Sequence, residues 1–218
     1  DNPFERDWVR KQLPSVKVIE VPKNPMNYLK ALNKSKFFDR LIVTNEDKVR
    51  ADIYQQEQQR KIALNNSVSV DDFLRDLKVV VKIGISDDLT ITRIEQLLSK
   101  TNQFNLTTKR HSSADLIKIT RDGGKVLWLS SADRYGDNGI VGVAILVETK
   151  HRTWLIESML LSCRVIGRKI ETVLLAEIVE ILRGENADEL YGQYIPSKKN
   201  HIVSDFYKQH NFKSTDKK

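Results

Sequence analysis

The chain contains a single cysteine, and its neighbours are basic. Cys163 directly precedes Arg164, and Arg168 follows just before an apolar stretch with helical periodicity. A helix N-terminus and nearby arginines both favour the thiolate, which is the nucleophilic form of cysteine. Cys163 could therefore carry an acyl thioester. The alternative is a small buried hydrophobic residue, which is the commoner role of a lone cysteine.

One carboxylate has the setting of a general base. Glu157 alternates with Leu155 and Met159 in a segment with strand periodicity, so we expect it to share an apolar face with them. An edge position facing water is the alternative. We predict no histidine base for Cys163, because all four histidines neighbour polar residues and are expected at the surface: His111, His151, His201 and His210.

The segment after Cys163 has the residues of an anion site. It reads Arg164-Val165-Ile166-Gly167-Arg168-Lys169 and lies between a predicted strand and a predicted helix, where unpaired backbone N–H groups and the helix dipole favour anions. The spacing resembles the R/Q-x-x-G-x-G/A motif of coenzyme A acetyltransferases, with Lys169 in place of the last small residue. A lysine contacts phosphate as a point charge, but its bulk restricts close approach. The resemblance predicts coenzyme A or phosphopantetheine binding; the alternative is an ordinary charged turn.

Neutral hydrogen-bonding side chains are concentrated between Thr101 and Thr108. Uncharged amides and hydroxyls suit an uncharged, hydroxylated ligand. Helix capping and turn formation by the same side chains is the alternative. The predicted substrate-binding residues are Asn102, Gln103, Asn105, Thr107 and Thr108.

The elements that must position these residues begin at Lys78, where the sequence becomes rich in β-branched residues. Turns are predicted at Gly123-Gly124 and at 136–139. The predicted strands are 79–83, 125–130, 139–148, 153–161 and 189–195. The predicted helices are one around residues 91–98, a short one at 113–119, and those at 169–182 and 198–209.

The first part of the chain has a different sequence pattern, which is mainly polar and helical. It predicts a short helix at 4–13, a strand at 16–21, a helix start at Asn24-Pro25, a long polar helix to about Leu64 and a short helix capped by Ser69. The narrow apolar stripe of the long helix is typical of a helix packed on one side only. We therefore place a domain boundary between residues 77 and 78.

The order of elements after Lys78 is similar to that of the GNAT acyltransferase fold. This resemblance predicts an α/β (α+β) fold with a mixed, mostly antiparallel sheet. Asn200, Phe206, Tyr207 and Phe212 also resemble a GNAT pattern on the last helix. The resemblance implies that Asn200 contacts a pantetheine arm and that Tyr207 protonates a departing thiolate, with packing of Tyr207 as the alternative. It also implies that the run from Thr101 lines the acceptor site.

Four segments, in order, resemble the FkbH-like family, a subfamily (IIIC) of HAD-superfamily phosphatases with a GNAT-like C-terminal domain. The segments are 1–6 (DNPFER), 101–108 (TNQFNLTT), 135–143 (YGDNGIVGV) and 160–168 (LLSCRVIGR). Such proteins resemble glyceryl transferase/phosphatases, which move a glyceryl unit from a bisphosphorylated glycerate onto a carrier-protein thiol. The resemblance implies an acyl carrier protein as partner.

The phosphatase part of that resemblance is incomplete. No D-x-D nucleophile motif occurs in the 218 residues. Asp1 corresponds to a magnesium ligand of the intact domain, but without further carboxylates it is not expected to hold a hard cation. We therefore expect no metal site and no phosphatase activity, with Mg²⁺ confined to an intact HAD domain. Residues 1–77 are interpreted as the tail of a HAD-like domain plus a helical linker, 78–218 as the GNAT-like domain, and the chain as a fragment.

Composition and charge limit the alternatives. The net charge is +7, the pI is near 9.4 and one cysteine is present. No apolar run approaches the roughly 20 residues that span a bilayer, so no membrane segment is predicted. No zinc-finger spacing or aromatic-interleaved basic run points to nucleic acid. A lone cysteine fits a reducing compartment, so we expect a cytoplasmic protein, and the basic balance suits an acidic partner such as an acyl carrier protein.

Three functions remain open from the sequence. The first is transfer of a small acyl or glyceryl unit that involves a carrier-protein or coenzyme A thioester. The second is a coenzyme A-dependent N-acetyltransferase. The third is a non-catalytic domain that docks a carrier protein, which Lys169 in place of glycine or alanine leaves open.

Overall fold

The computed structural model describes residues 2–37 and 45–215, with only the backbone described for 45–51. The chain divides into two compact units between Ala51 and Asp52. The predicted boundary lay 26 residues later, and the assignment of residues 1–77 to a phosphatase remnant stays a prediction. Asp1 lies outside the described residues.

The described part of the first unit includes two short α-helices, and neither of them buries a side chain. Helix α1 (Pro3–Gln12) begins where the Asn2 side chain accepts a hydrogen bond from the Phe4 amide. Asn24 caps a short 3₁₀ turn (Pro25–Asn27) that runs directly into α2 (Tyr28–Ser35), as its sequence predicts. The predicted strand at 16–21 is wrong. That segment is irregular, because the described chain offers it no strand to pair with.

Two helices precede the sheet. Helix α3 (Asn45–Asn66) crosses the division between the units, and α4 (Val70–Leu77) follows it. The predicted cap of α4 is confirmed, since the Asp72 amide donates to Ser69 Oγ at 3.1 Å. Phe73 and Leu77 are buried in the second unit.

The second unit contains a six-stranded sheet. Its strands are β1 (Val80–Ile85), β2 (Phe104–Asn105), β3 (Lys125–Asp133), β4 (Gly136–Lys150), β5 (Thr153–Leu161) and β6 (Glu189–Gly192). The spatial order is β1-β3-β4-β5-β2, with β6 pairing β5 as well. All pairs are antiparallel except β5 with β6. The predicted mixed, mostly antiparallel α/β sheet is confirmed.

Helices cover both faces of this sheet. They are α5 (Asp88–Lys100), α6 (Ser113–Arg121), α7 (Ile170–Gly184) and the short α8 (Phe206–Gln209). Residues of α5 and α6 form one buried cluster with Val126, Val143 and Leu160. Residues of α7 and α8 form the larger cluster with the side chains on the other face, including Ile156 and Met159.

Strand β5 changes partner along one edge, and this change creates the candidate site. Residues 153–156 pair with β6, whereas Leu160 and Leu161 pair with β2. Glu157 and Ser158 lie between these two pairings. We call this place the β5 gap.

Two predictions about local structure need correction, and one strand was missed. The turn predicted at 136–139 lies inside β4, because the two-residue hairpin turn is Arg134-Tyr135. The helix predicted at 198–209 is broken into a 3₁₀ turn (His201–Val203) and α8, since the Asn200 side chain binds nearby backbone groups in place of a helical turn. Strand β2 was not predicted. No helix in the described parts of the chain has the length and hydropathy needed to cross a membrane.

Candidate active site

Glu157 is the extra residue of a β-bulge in β5. Its two neighbours pair with the consecutive residues Ile145 and Leu146, so Glu157 itself has no partner on β4. A bulge bends a strand and re-aims a side chain, and bulges are common beside active sites. The Glu157 carboxylate accepts a hydrogen bond from Lys109 Nζ at 3.1 Å, on the segment that leads from β2 to α6.

A histidine lies beside the same carboxylate. His111 Nε2 is 3.8 Å from Glu157 Oε2, and the His111 side chain is only 12% exposed. The surface position predicted for His111 is therefore wrong. An imidazole next to a carboxylate can take up a proton and pass it on, which is the chemistry of a general base.

Buried polar atoms without a hydrogen-bond partner surround the β5 gap in the described part of the chain. They are Ser158 Oγ, Thr107 Oγ1, His111 Nε2 and Gln193 Oε1. The antiparallel register of β2 and β5 continues through Leu106, whose amide donates to the Met159 carbonyl at 3.0 Å, and this register places Thr107 opposite Ser158. Buried polar groups are nearly always paired, so such a group of open donors and acceptors is typical of a ligand site.

The side chains between Thr101 and Thr108 have two roles. Some hydrogen-bond to nearby backbone groups, and one has an unpaired hydroxyl at the β5 gap. Asn105 is fully buried: its Nδ2 donates to the Thr101 carbonyl at 3.1 Å, and its Oδ1 accepts from the Thr108 amide at 2.8 Å. Asn102 accepts from Arg110, and Gln103 is exposed. Of the predicted substrate-binding residues, Thr107 is the one whose side chain has an open hydroxyl at the β5 gap.

Asn200 is buried and its amide is used by the protein. Its Nδ2 donates to the carbonyls of Asn105 and Ile195 at 2.8 and 3.0 Å, and its Oδ1 accepts from the Ser197 amide at 2.7 Å. These bonds tie the end of β2 to the segment before α8. A contact between Asn200 and a pantetheine arm stays a prediction.

Tyr207 lies on α8 and packs against the larger hydrophobic cluster. Its ring packs between Phe206 and Phe212, with ring centroids 5.4 and 5.0 Å away. Burial raises the pKa of the Tyr207 phenol, and the backbone of Gln193 opposes this only in part. The hydroxyl is buried and makes no hydrogen bond of good geometry in the described chain. Tyr207 therefore keeps its proton, but the raised pKa makes the phenol a weaker proton donor, and the general-acid role stays a prediction.

The turn after β5 starts as predicted. A 3₁₀ turn covers Cys163–Val165, and α7 begins at Ile170. The Cys163 thiol is exposed, whereas Val165 and Ile166 pack into or against the core. Gly167 has a φ of +82°, a backbone conformation that favours glycine. We call residues 163–169 the β5–α7 turn.

The two basic residues at the end of this turn are paired within the protein. Arg168 Nη1 donates to Asp133 Oδ2 at 3.0 Å, and its Nη2 donates to the Arg164 carbonyl at 2.5 Å. Lys169 has a φ of +58° and its Nζ lies 3.0 Å from Asp71 Oδ1, in an exposed ion pair. Binding of phosphate by Arg168 and Lys169 stays a prediction. To bind phosphate, each side chain would first have to break the contacts described here.

Arg164 has a different environment. Burial and the positive charge of Arg164 both lower the pKa of Arg93, a half-buried residue on α5. Arg93 Nη1 donates to the neutral Gln96 Oε1 at 3.3 Å, and among the described residues no ion pair is found for Arg93 or Arg164. A guanidinium group without an acidic partner suits a phosphate, and each of these two side chains is a candidate for that role.

The structure does not connect the three predicted catalytic residues to each other. In the described chain no hydrogen bond or ion pair joins Cys163, Glu157 and Tyr207, and the roles predicted for them stay predictions. Sequence reasoning missed His111 and Arg93. His111 follows a run of polar residues and Arg93 lies between Ile91 and Ile94, so no local pattern distinguished either from a surface residue.

Comparison with models of known protein families finds no match, and comparison with curated protein sequences finds none. Solved structures with a similar backbone fold include acetyltransferases. One, from Trypanosoma brucei, is 17% identical and aligns over 64% of this chain and 96% of its own, with a TM-score of 0.46. A GNAT-family acetyltransferase from Staphylococcus aureus Mu50 is 16% identical over 63% and 87%, with a TM-score of 0.49. AAC(6')-Iy, in complex with the bisubstrate analogue CoA-S-monomethyl-acetylneamine, is 13% identical over 64% and 95%, with a TM-score of 0.48. At these sequence identities and TM-scores, the similarity gives no information about the activity of this chain.

Proposed function

We propose that the unit formed by residues 52–218 is a GNAT-like acyltransferase that works at the β5 gap. The observation that supports this most directly is the placement of Glu157 at a bulge, with Lys109 and His111 beside it and open polar atoms around it. In this proposal the acceptor attacks a thioester carbonyl while Glu157 takes the proton that the acceptor loses. The C–S bond breaks, and Tyr207 gives its proton to the departing thiolate.

The donor in this proposal is a thioester of coenzyme A or of carrier-bound phosphopantetheine. The β5–α7 turn would bind its phosphate, with Arg164 and Arg93 supplying the guanidinium groups that lack an acidic partner. Cys163 has an exposed thiol at the start of the turn, so it would be a site for a transient thioester if transfer runs through the protein.

For the transferred unit and the partner we propose a small acyl or glyceryl group and an acidic acyl carrier protein. The support is the resemblance of four segments to FkbH-like proteins, together with the net charge of +7. An open threonine hydroxyl and a serine hydroxyl at the β5 gap are chemically suited to a hydroxylated group.

A coenzyme A-dependent N-acetyltransferase is the second candidate. It is favoured by the Glu157–His111 pair, because an amine acceptor that arrives as an ammonium ion must lose a proton before it can attack. The two candidates differ in the acceptor, and an assay with amines against one with carrier-protein thiols separates them.

Thermal unfolding with and without millimolar coenzyme A or acetyl-coenzyme A tests the donor site. A ligand at about 100 times its Kd stabilises by roughly 2.7 kcal/mol, so we expect a clear rise in Tm. Arg164→Gln should reduce the rise. Arg121→Gln is the matched control, because Arg121 is an exposed arginine at the end of α6. No rise in the unmodified protein would overturn coenzyme A binding and make carrier-protein docking the next hypothesis to test.

A further inference from the structure

A buried ion network connects helix α3 to the β5–α7 turn. Asp133, at the end of β3, has a side chain with no exposed surface, and the side chains of Arg60 and Arg168 are 4% and 7% exposed. Arg60 lies on α3, 73 residues from Asp133 in sequence. Arg168 lies at the other end of the network, in the turn.

Every strong acceptor position of Asp133 is used. Arg60 binds it with two parallel hydrogen bonds, Nε to Oδ2 at 2.8 Å and Nη2 to Oδ1 at 2.9 Å. Oδ2 also accepts from Arg168 Nη1 at 3.0 Å, and Oδ1 accepts from the Tyr135 amide at 3.0 Å. Burial alone would raise the pKa of Asp133, but Arg60, the Tyr135 amide and Arg168 together hold it below its ordinary value. The carboxylate is therefore charged and fully satisfied.

A second carboxylate balances the charge. Glu57, one turn before Arg60 on α3, lies 3.6 Å from both Arg60 Nη1 and Arg168 Nη2. Two arginines are thus matched by two carboxylates, which is the arrangement that makes buried charges tolerable.

The network ends on the backbone of the turn. Arg168 reaches Asp133 with one nitrogen and the Arg164 carbonyl with the other. A planar guanidinium fixes the directions of both hydrogen bonds, so it holds the Arg164 backbone at a defined place relative to β3. The Arg164 side chain, which the proposed function assigns to the donor phosphate, projects from that backbone.

We propose that Arg60 and Asp133 are positioning residues, which hold Arg168 and through it set the shape of the β5–α7 turn for donor binding. Helix α3 would then be part of the donor site without touching the donor. The donor-binding part of this inference rests on the proposed function. The geometric part, that the network holds the turn, does not.

Two readouts test the geometric part in the full chain without any ligand. Hydrogen exchange measures the protection of amides 163–169, and alkylation by iodoacetamide measures the accessibility of Cys163, the one cysteine in the sequence. Asp133→Asn leaves two buried arginines short of a partner, so Arg60→Met is the milder variant that keeps the experiment interpretable if the first fails to fold. Either change should raise exchange in the turn by about tenfold or more, because a hydrogen bond to a charged group is being lost.

Leu116→Ala is the control. Leu116 is fully buried in the cluster formed by α5 and α6, which contains no residue of the network, and its truncation is expected to lower global stability by about 2–5 kcal/mol. Arg60→Lys keeps the charge but loses the two parallel bonds, so partial rescue of turn protection is expected. If folded Arg60→Met protein exchanges its turn amides no faster than Leu116→Ala at equal stability, the network is merely structural and the proposal is overturned.

Thermal shift with coenzyme A supplies the second arm. With the proposed function correct, Arg60→Met should lose most of the ligand-induced rise in Tm although Arg60 lies on α3. A full rise in Arg60→Met would overturn the donor-binding part. A missing rise in the unmodified protein would overturn coenzyme A binding itself, and the exchange arm would still decide whether the network holds the turn.

Discussion

At the level of single residues, the β5 gap depends on Glu157. Its position at the bulge and its contacts with Lys109 and His111 make it the strongest candidate for a proton acceptor. Glu157→Gln keeps the size and hydrogen bonding of the side chain but removes its basicity. We expect transfer, measured as kcat/KM, to fall by about 100-fold or more, because general-base catalysis contributes at least this much.

The matched control for that experiment is Glu177→Gln, an exposed glutamate on α7 that should retain full activity. Circular dichroism and Tm establish that both variants are folded. Activity of Glu157→Gln within twofold of the unmodified protein would remove Glu157 from the mechanism and turn attention to His111.

Tyr207 makes a prediction about alkaline stability. Burial raises its pKa above the ordinary value of 10.0, so the folded state keeps a proton that the unfolded chain releases. Its contribution to stability is fully present below about pH 10 and is lost as pH rises further, by about 1.4 kcal/mol per pH unit for this one group. The Tyr207→Phe variant has no phenol proton to lose, so its free energy of unfolding should fall less steeply between pH 10 and 11.

Urea unfolding of both proteins at pH 7, 10 and 11 measures this difference. At pH 7 we expect Tyr207→Phe to be equally stable or more stable by up to about 1 kcal/mol, because a buried hydroxyl without a well-formed hydrogen bond is removed. Parallel pH profiles would show that the phenol titrates normally and is solvated. The same variant in a transfer assay reports separately on the general-acid role.

At the level of elements, the contact between β6 and α8 requires glycine. A Cβ on Gly192 would lie 2.2 Å from Tyr207 Cε1, and the Tyr207 ring is held by its aromatic neighbours. Gly192→Ala should therefore cost about 1–3 kcal/mol of unfolding free energy. Gly184→Ala, in the last turn of α7 with nothing within 4 Å of the new Cβ, should gain about 0.5–1 kcal/mol. Equal effects of the two substitutions, measured by urea unfolding, would contradict the packing described for Tyr207.

Elements with strong local signals were predictable. The caps at Asn24 and Ser69 begin their helices, and the predicted bounds of β5 agree with the structure. Elements that depend on distant partners were not. Residues 16–21 have strand composition but no partner in the described chain, and β2 is two residues long and exists because β5 offers a free edge.

At the level of the whole molecule, the division between units has a testable consequence. The part of α3 from Asp52 onward and all of α4 belong to the second unit, through Arg60 and the buried Leu77. We expect residues 52–218 to fold cooperatively. Residues 78–218 should be less stable by at least about 3–5 kcal/mol, because Asp133 and Arg168 lose a buried ionic partner. Comparing the two fragments by urea unfolding decides this, and equal stability would restore the boundary predicted at residue 78.

The sequence by itself determined the meander of β3, β4 and β5, the helix α7 and the position of the β5–α7 turn, whereas the mixed sheet was predicted from the resemblance to the GNAT fold. The meander, the helix and the turn follow from hydrophobic periodicity, caps and glycine placement, which act between near neighbours. The sequence also named Glu157 as a candidate base, but the predicted shared face with Leu155 and Met159 is wrong, because the bulge at Glu157 interrupts the alternation and places those two residues on opposite faces.

Only the tertiary structure decided what surrounds those residues. The sheet brings Lys109 and His111 to Glu157 across 48 and 46 positions, Arg60 to Asp133 across 73, and Arg168 to Asp133 across 35. Such contacts are set by which strand edges and helix faces meet, and no local spacing encodes them. The side chains that a single sequence leaves ambiguous are therefore those whose role depends on a partner from another element.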